Sequence, residues 1–229
     1  MVDFRLVLVL ASLFSGCTPH ITPPSAVEHL QTPAGFPSTY YQQAKATGST
    51  VLKIDAKHSL VVIDVRRGGV LARLGHDHVV ASHDVTGYVD ITGGRADLYV
   101  PLDHLTVDET ALRAEAGLTT QPSQDAIDGT RHNMLVKVLE ADQFPFALIR
   151  IIRDPADRLK LSVAITLHGT TKTFDVPAQI DTTPGVLKIS GKMTFNQSDF
   201  GITPFSILGG AMLVEDKLDL RFQIFAGEI

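Results

Sequence analysis

The stretch Leu74–Asp84, LGHDHVVASHD, places three histidines and two aspartates within eleven residues. Imidazoles beside carboxylates can build a metal centre, a general base, or a polar rim that hydrogen-bonds a ligand head group. On an extended strand His76 and His78 share one face, about 7 Å apart, which would suit two ligands of one ion. His83 differs from them in parity and points to the other side, while Asp77 lies between the pair and points away. A structural zinc normally takes four protein ligands and a catalytic one three. The missing ligands would have to come from His58, His104, His132 or His168, and no HExxH, CxxC or CxxCH motif accompanies them. The expectation is therefore a polar, partly exposed mouth in which His76 and His78 meet a head group and no metal binds. A metal-dependent enzyme or metal sensor using the same two histidines is the alternative.

Other catalytic chemistry has less support. The chain has no GxSxG nucleophile motif. Asp108 and Glu109 are adjacent on an expected helix and face apart. His58 and His168 sit at strand ends beside turns, where an imidazole bonds backbone groups, and NQSDFGI reads as a capped turn. No residue is assigned a catalytic role, and the expectation is a binding protein rather than an enzyme.

The elements that position these residues follow from patterning. The 229 residues are 44% hydrophobic, with a net charge of −5 and scattered Lys and Arg, which argues against a nucleic-acid surface. No apolar run reaches the roughly 18 residues that cross a bilayer as a helix. MVDFRLVLVLASLFSGC reads as a leader with a short apolar region, ending in LFSGC. That ending resembles the lipobox of bacterial lipoproteins, which implies cleavage after residue 16 and acylation of Cys17, the one cysteine of the chain. Cys17 is then the lipid-attachment site, and an acyl anchor of two or more chains holds a protein on a membrane surface. Thr18 rather than Asp after it favours the outer membrane, so the expected location is the periplasm-facing bacterial envelope. Residues 17–49 are rich in Pro, lack apolar periodicity and read as an extended tether.

From residue 50 to 229, period-two alternation recurs. Val61, Ile63 and Val65 share one face of HSLVVIDVRR. Val163 and Ile165 share one face of RLKLSVAITLHG, and Phe174 and Val176 one face of KTFDVPAQID. Leu220 and Phe222 do the same in DKLDLRFQIF. Turn signals such as HGTT at His168 separate the runs. Only Thr106–Gln143 loses the period, where VDETALRAEAG and SQDAIDGTRHNMLVKVLEAD read as helices. The fold class is all-β with one or two short helices: an antiparallel barrel of about eight strands, with a sandwich as the alternative. Whether such a barrel is hollow or filled is not written in the pattern, and a filled one would be a structural or partner-docking lipoprotein.

Several of these segments together resemble the YceI-like family of bacterial envelope proteins. They are VLKIDAKHSLVVIDVRRGG, RHNMLVKVLEADQFPFALI, KLSVAITLHGTTKTFDVPAQI and ISGKMTFNQSDFGI, in that order and spanning most of Val51–Phe225. The resemblance implies an extended lipocalin-like barrel that holds an isoprenoid-type lipid, a polyprenyl chain or a quinone, in an apolar tunnel. No other cofactor is implied. The apolar lining would then be Val61, Ile63, Val163, Ile165, Phe174, Val176, Leu220 and Phe222. The chain departs from the family's usual pattern at GGVLARLGHDHVV, where common members have a shorter and less polar run.

Overall fold

The computed structural model describes residues 32–153 and 160–228. The expected leader, Cys17 and the tether as far as residue 31 lie outside the described residues. The strands are β1 (Val51–Ile54), β2 (Leu60–Val65), β3 (Arg67–Gly68), β4 (His78–Ser82), β5 (Thr86–Asp90), β6 (Arg95–Pro101) and β7 (Thr106–Val107). After two helices come β8 (Phe146–Arg153), β9 (Lys160–Leu167), β10 (Thr170–Thr183), β11 (Val186–Asn196), β12 (Ser206–Ile207), β13 (Met212–Val214) and β14 (Lys217–Glu228).

The order β1-β5-β6-β8-β9-β10-β11-β14 closes on itself, with Leu52 of β1 opposite Glu228 of β14. Every pairing is antiparallel, so this is a closed eight-stranded barrel without a free edge at that level. β2, β4 and β7 continue the walls begun by β1, β5 and β6 beyond short breaks. The break between β1 and β2 is bridged by a side chain. Ser59 Oγ donates to the Asp55 carbonyl (2.7 Å) and accepts from the Phe225 N–H (3.0 Å), which continues the ladder to β14. A three-stranded sheet, β12-β13-β3, stands over one end of the barrel.

Two sequence signals act locally as their chemistry demands. His168 and Gly169 both have positive φ, 50° and 73°. HGTT therefore makes the tight turn whose twist matches a β-hairpin. Pro177 stands where β10 changes partner, from β9 over Thr170–Pro177 to β11 over Ala178–Thr183. A residue without an N–H is tolerated at such a seam.

Outside the barrel, α2 (Thr110–Glu115) buries Leu112 against Val62, Val79 and Ala81. The outward face of β2 and β4 is thereby made apolar as well. Helix α3 (Gln124–Asn133) is capped by Ser123, whose hydroxyl accepts the Ala126 N–H at 3.3 Å. Such a cap satisfies one of the free N–H groups of the first turn. The helix runs into a π-helical turn, Met134–Val138. Arg131 fastens it to the β6–β7 corner through the Leu105 carbonyl (3.0 Å) and the Asp103 carbonyl.

The expected tether needs correcting over its second half. Residues Ser38–Ala46 form a helix, α1, and the compact unit begins at Thr32 rather than near residue 49. This helix has little apolar periodicity because tyrosines hold it down. Tyr41 is buried and its hydroxyl donates to Asp97 (2.7 Å), while Tyr40 donates to Asp90 (2.9 Å) beneath Arg95. Phe36, Tyr41, Tyr88 and Tyr99 complete an aromatic layer on the outer wall.

Candidate functional site: an apolar cavity with a polar rim

Inside the barrel lies a cavity of about 380 Å³. This is within the range of small-molecule sites. Its walls are the inward residues of the strands, so the barrel is hollow rather than packed through. Of the eight residues read as apolar lining, seven line it: Val61, Ile63, Val163, Ile165, Val176, Leu220 and Phe222. Phe174 does not. It turns toward the seam where β10 and β11 part and packs with Phe195 and Phe200, at ring-centroid distances of 6.5 and 6.2 Å. The parity argument gave its face correctly, but a gap in the ladder drew the ring aside to fill it.

Gly191 is needed where Phe222 crosses the wall. A Cβ there would come within 2.7 Å of the Phe222 ring and 2.8 Å of the Pro177 carbonyl. The bare backbone lets the ring lie against β11 instead of standing up into the cavity.

The cavity opens at one end. Its solvent-exposed lining residues, Arg67, His76 and Ile207, all belong to the end formed by β3, the Leu71–His76 turn and β12. Asn133, Met134 and Val138 of the α3 segment line the same end. Polar lining concentrates here, with Arg67, His76, His78, Asn133 and the buried Gln197, whose amide donates to the Glu215 carbonyl (2.9 Å). Toward the far end the lining is made of residues such as Val89, Ala96 and Leu161.

The histidine cluster divides along the lines of strand parity. His76 is exposed, and its ring centroid is 6.3 Å from that of His78. His78 opens β4 and faces inward beside Val65 of β2. His83 points outward and pairs with Glu109 (2.9 Å). Asp77 also turns outward, where its carboxylate accepts the Arg67 N–H at 2.9 Å with Arg66 nearby. Asp84 pairs with His104 at 3.1 Å. His58 pairs with Asp55 on the surface, and His168 stacks on Phe144 near Glu140. Among the described residues, no three His, Cys, Asp or Glu side chains converge on one point.

The role of the residue that organises this end was not visible in the sequence. Asp108, fully buried, accepts His78 Nδ1–H (2.6 Å), the Val79 N–H (3.0 Å) and Arg113 (2.5 Å). Arg113 is buried too, and it also donates to the Asp77 carbonyl (2.8 Å) and the Thr120 carbonyl (3.0 Å). Burial pushes the Asp108 carboxyl up, but His78, the Val79 N–H and Arg113 outweigh it and hold it below the ordinary value. Asp108 lies just before α2 with a φ of 58°. Asp108 and Glu109 do face apart, each taking one histidine of the cluster. Only DET at a helix start hinted at this, and a partner thirty positions from His78 leaves no local signal.

The chemistry open to the site follows from this fixed tautomer. With Nδ1–H committed to Asp108, Nε2 of His78 is left without a hydrogen-bond partner among the described residues, on a side chain that lines the cavity. It can accept from a hydroxyl or, when protonated, donate to a carbonyl or phosphate oxygen.

The YceI-like domain family matches this chain over residues 52–226. A polyisoprenoid binding domain from Saccharophagus degradans, implicated in plant cell wall breakdown, has a similar solved structure. The TM-score is 0.57 at 12% identity, covering 79% of this chain and 99% of that one. Burkholderia cenocepacia BcnA is also similar, with a TM-score of 0.54 at 14% identity, covering 75% of this chain and 98% of that one. At these identities the likeness is one of fold. No curated protein matches the chain.

Proposed function

Since the chain belongs to the YceI-like family, we propose that it binds or carries an isoprenoid-type lipid, a polyprenyl chain or quinone, inside its barrel. The observation that carries this reading is the segregation within the cavity. The walls are aliphatic and aromatic apart from Ser82 at the far end of β4, and the other polar groups gather at the open end. Burial of apolar surface would drive binding, at about 0.8 kcal/mol for each methylene removed from water, less the cost of ordering the chain. A head group left at the rim stays near solvent, within reach of His76 and of Nε2 of His78. The relative from Saccharophagus degradans is a polyisoprenoid binding domain, which favours the same ligand class.

Cys17 would anchor the protein to the membrane through acyl chains on the periplasmic side of the envelope. Cys17→Ser should then abolish the acyl mass increment and release the protein from the membrane fraction. A mature wild-type chain that starts elsewhere and carries no acyl group would exclude the anchor.

The ligand is tested by mass spectrometry of organic extracts from the purified full chain. A prenyl-chain lipid is expected, and it should vanish in Ile165→Glu, which places a carboxylate in the wall. Phe222→Ala, which removes apolar surface without adding charge, should lower occupancy while the fold is kept. Unchanged lipid content in both variants would place the ligand outside the barrel.

A further inference from the structure

We infer that the cavity rim is a docking surface for an anionic lipid bilayer, inserted by apolar loop tips when the barrel loads or releases its ligand. The inference extends the lipid-binding reading to the route the ligand takes, and it rests on surface features that the reading itself does not use. Most of the markedly exposed large apolar side chains stand at the open end. Val70 is 88% exposed, Leu208 68%, Leu74 64%, Val136 53% and Ile207 43%. They come from three segments: the loop after β3, the π-helical turn after α3, and the β12–β13 hairpin. Those segments hold one another in place. The Leu71 N–H donates to the Ala211 carbonyl (2.8 Å), and Lys137 lies over the Phe205 ring at 5.7 Å.

Exposed apolar residues gathered round a site usually mark what the site meets. Leu208 makes the case most sharply. It holds a positive φ of 53°, followed by Gly209 and Gly210 at 66° and 90°. A leucine in that region is strained. This one gains no burial in return, so its side chain is presented outward.

Charge selects a bilayer as the occupant. Arg66, Arg67, Arg73 and Lys137 lie on the rim segments with three carboxylates, Asp77, Glu140 and Glu215, although the whole chain carries −5. Asp77 is shared by Arg66 and Arg67, whereas Arg73 and Lys137 have no carboxylate within ion-pair distance among the described residues and are left to face an anionic surface. Basic residues near an anionic membrane surface are drawn to its lipid head groups. Single apolar tips set among cations suit the interfacial zone of a bilayer better than the flat core of a protein interface. Docking also removes the aqueous step from transfer, in which a prenyl chain would expose its whole apolar length to water.

The chain has no tryptophan, so one introduced residue reports alone. The test places the full chain on vesicles of phosphatidylglycerol and phosphatidylethanolamine whose acyl chains carry bromine, which quenches indole fluorescence within the bilayer. Leu208→Trp and Val70→Trp report the rim. Val186→Trp is the control, also exposed but at the far end of β11, eleven residues of extended strand away from the rim. The comparison is between positions in one chain, so an N-terminal anchor affects all three equally. Quenching several-fold stronger at the two rim positions is expected, falling toward the control in zwitterionic vesicles and in an Arg73→Glu/Lys137→Glu background. Equal quenching at all three positions, or a rim left unquenched because a protein or the chain's own N-terminal segment covers it, would overturn the inference. Uptake of an apolar dye by the cavity, read on the same samples, separates the two claims. Dye uptake with an unquenched rim removes the docking surface and keeps the lipid site. A quenched rim without dye uptake does the reverse.

Discussion

Two buried aspartates, Asp97 on the outer wall and Asp108 beside the cavity, solve one problem with different consequences. Asp97 accepts Tyr41, Arg95 (2.6 Å) and Arg150 (2.7 Å). Asp108 accepts His78, the Val79 N–H and Arg113. In each case burial raises the carboxyl and its donors outweigh that effect. On the outer wall Tyr41 and Arg150 tie helix α1 and strand β8 to β6, Arg95 donates from β6 itself, and Tyr41 in turn has its hydroxyl pushed well above the usual phenol value by burial and by Asp97. Beside the cavity one donor is an imidazole whose second nitrogen faces inward. The first arrangement is structural, and the second is structural with one ring nitrogen left unbonded among the described residues, on a side chain that lines the cavity.

The largest difference should appear on removing the carboxylates. Arg113 side-chain exposure is 2%, whereas Arg95 and Arg150 keep 23% and 54%. Asp108→Ala leaves a guanidinium buried without a counter-charge, at a cost of about 3–5 kcal/mol. Asp97→Ala lets both arginines turn to water and leaves mainly the Tyr41 hydroxyl unpaired, at about 1–3 kcal/mol. Urea titration of both variants checks the order. A larger loss from Asp97→Ala would mean the outer clamp matters more to the fold than the cavity network.

Acid should erode both networks. Each carboxyl lies below its unfolded value, so the folded state holds fewer protons. The stability they confer is fully present above about pH 4 and is lost as pH falls through the folded values. Asp97→Asn should lower the neutral plateau and flatten the acid limb of unfolding free energy against pH. An acid limb as steep as the wild type's would assign the acid sensitivity to other carboxylates.

The ligand is the next discriminator. His78→Phe keeps Asp108 paired with Arg113 and the Val79 N–H, so it should cost only about 1 kcal/mol of stability. It removes the inward Nε2, and retention of a hydroxyl- or quinone-headed prenyl lipid should fall about tenfold, the worth of one good hydrogen bond. Titration with prenols and prenyl quinones would measure it. Undiminished affinity would leave the apolar wall as the sole source of binding.

What the sequence made legible follows from the range of each interaction. Strand parity is a local property, and it grouped Val61, Ile63, Val163, Ile165, Val176, Leu220 and Phe222 on shared strand faces, which line the cavity, and set His83 on the opposite side from His76 and His78. Phe174 was misplaced because a break in the β10–β11 ladder, a non-local feature, opened a seam for it to fill. The helix at Ser38–Ala46 was hidden for a related reason. Its stability comes from tyrosine hydroxyls reaching Asp90 and Asp97, some fifty residues away, and not from an apolar stripe of its own. Nothing in the sequence singled out Arg113, although it is among the most buried side chains described. Carboxylates and guanidiniums that pair across the fold leave no periodic trace.

The smallest expected effect falls on the third histidine of LGHDHVVASHD. His83 is half exposed, and it pairs with Glu109, itself partly exposed and also bonded to Thr106. An ion pair in that setting is worth about 0–1 kcal/mol. Removing the imidazole leaves no buried partner without a bond, because Glu109 keeps the Thr106 hydroxyl and solvent. His83→Ala should therefore change neither the unfolding midpoint nor ligand retention measurably, in contrast to His78→Phe five positions earlier on the same chain. Parallel lipid extraction from the two variants gives the comparison. Equal loss of ligand in both would mean that the histidines act as one site across the strand, by a shared ion or a rearranged β4, and that parity does not separate the functional imidazole from the surface one.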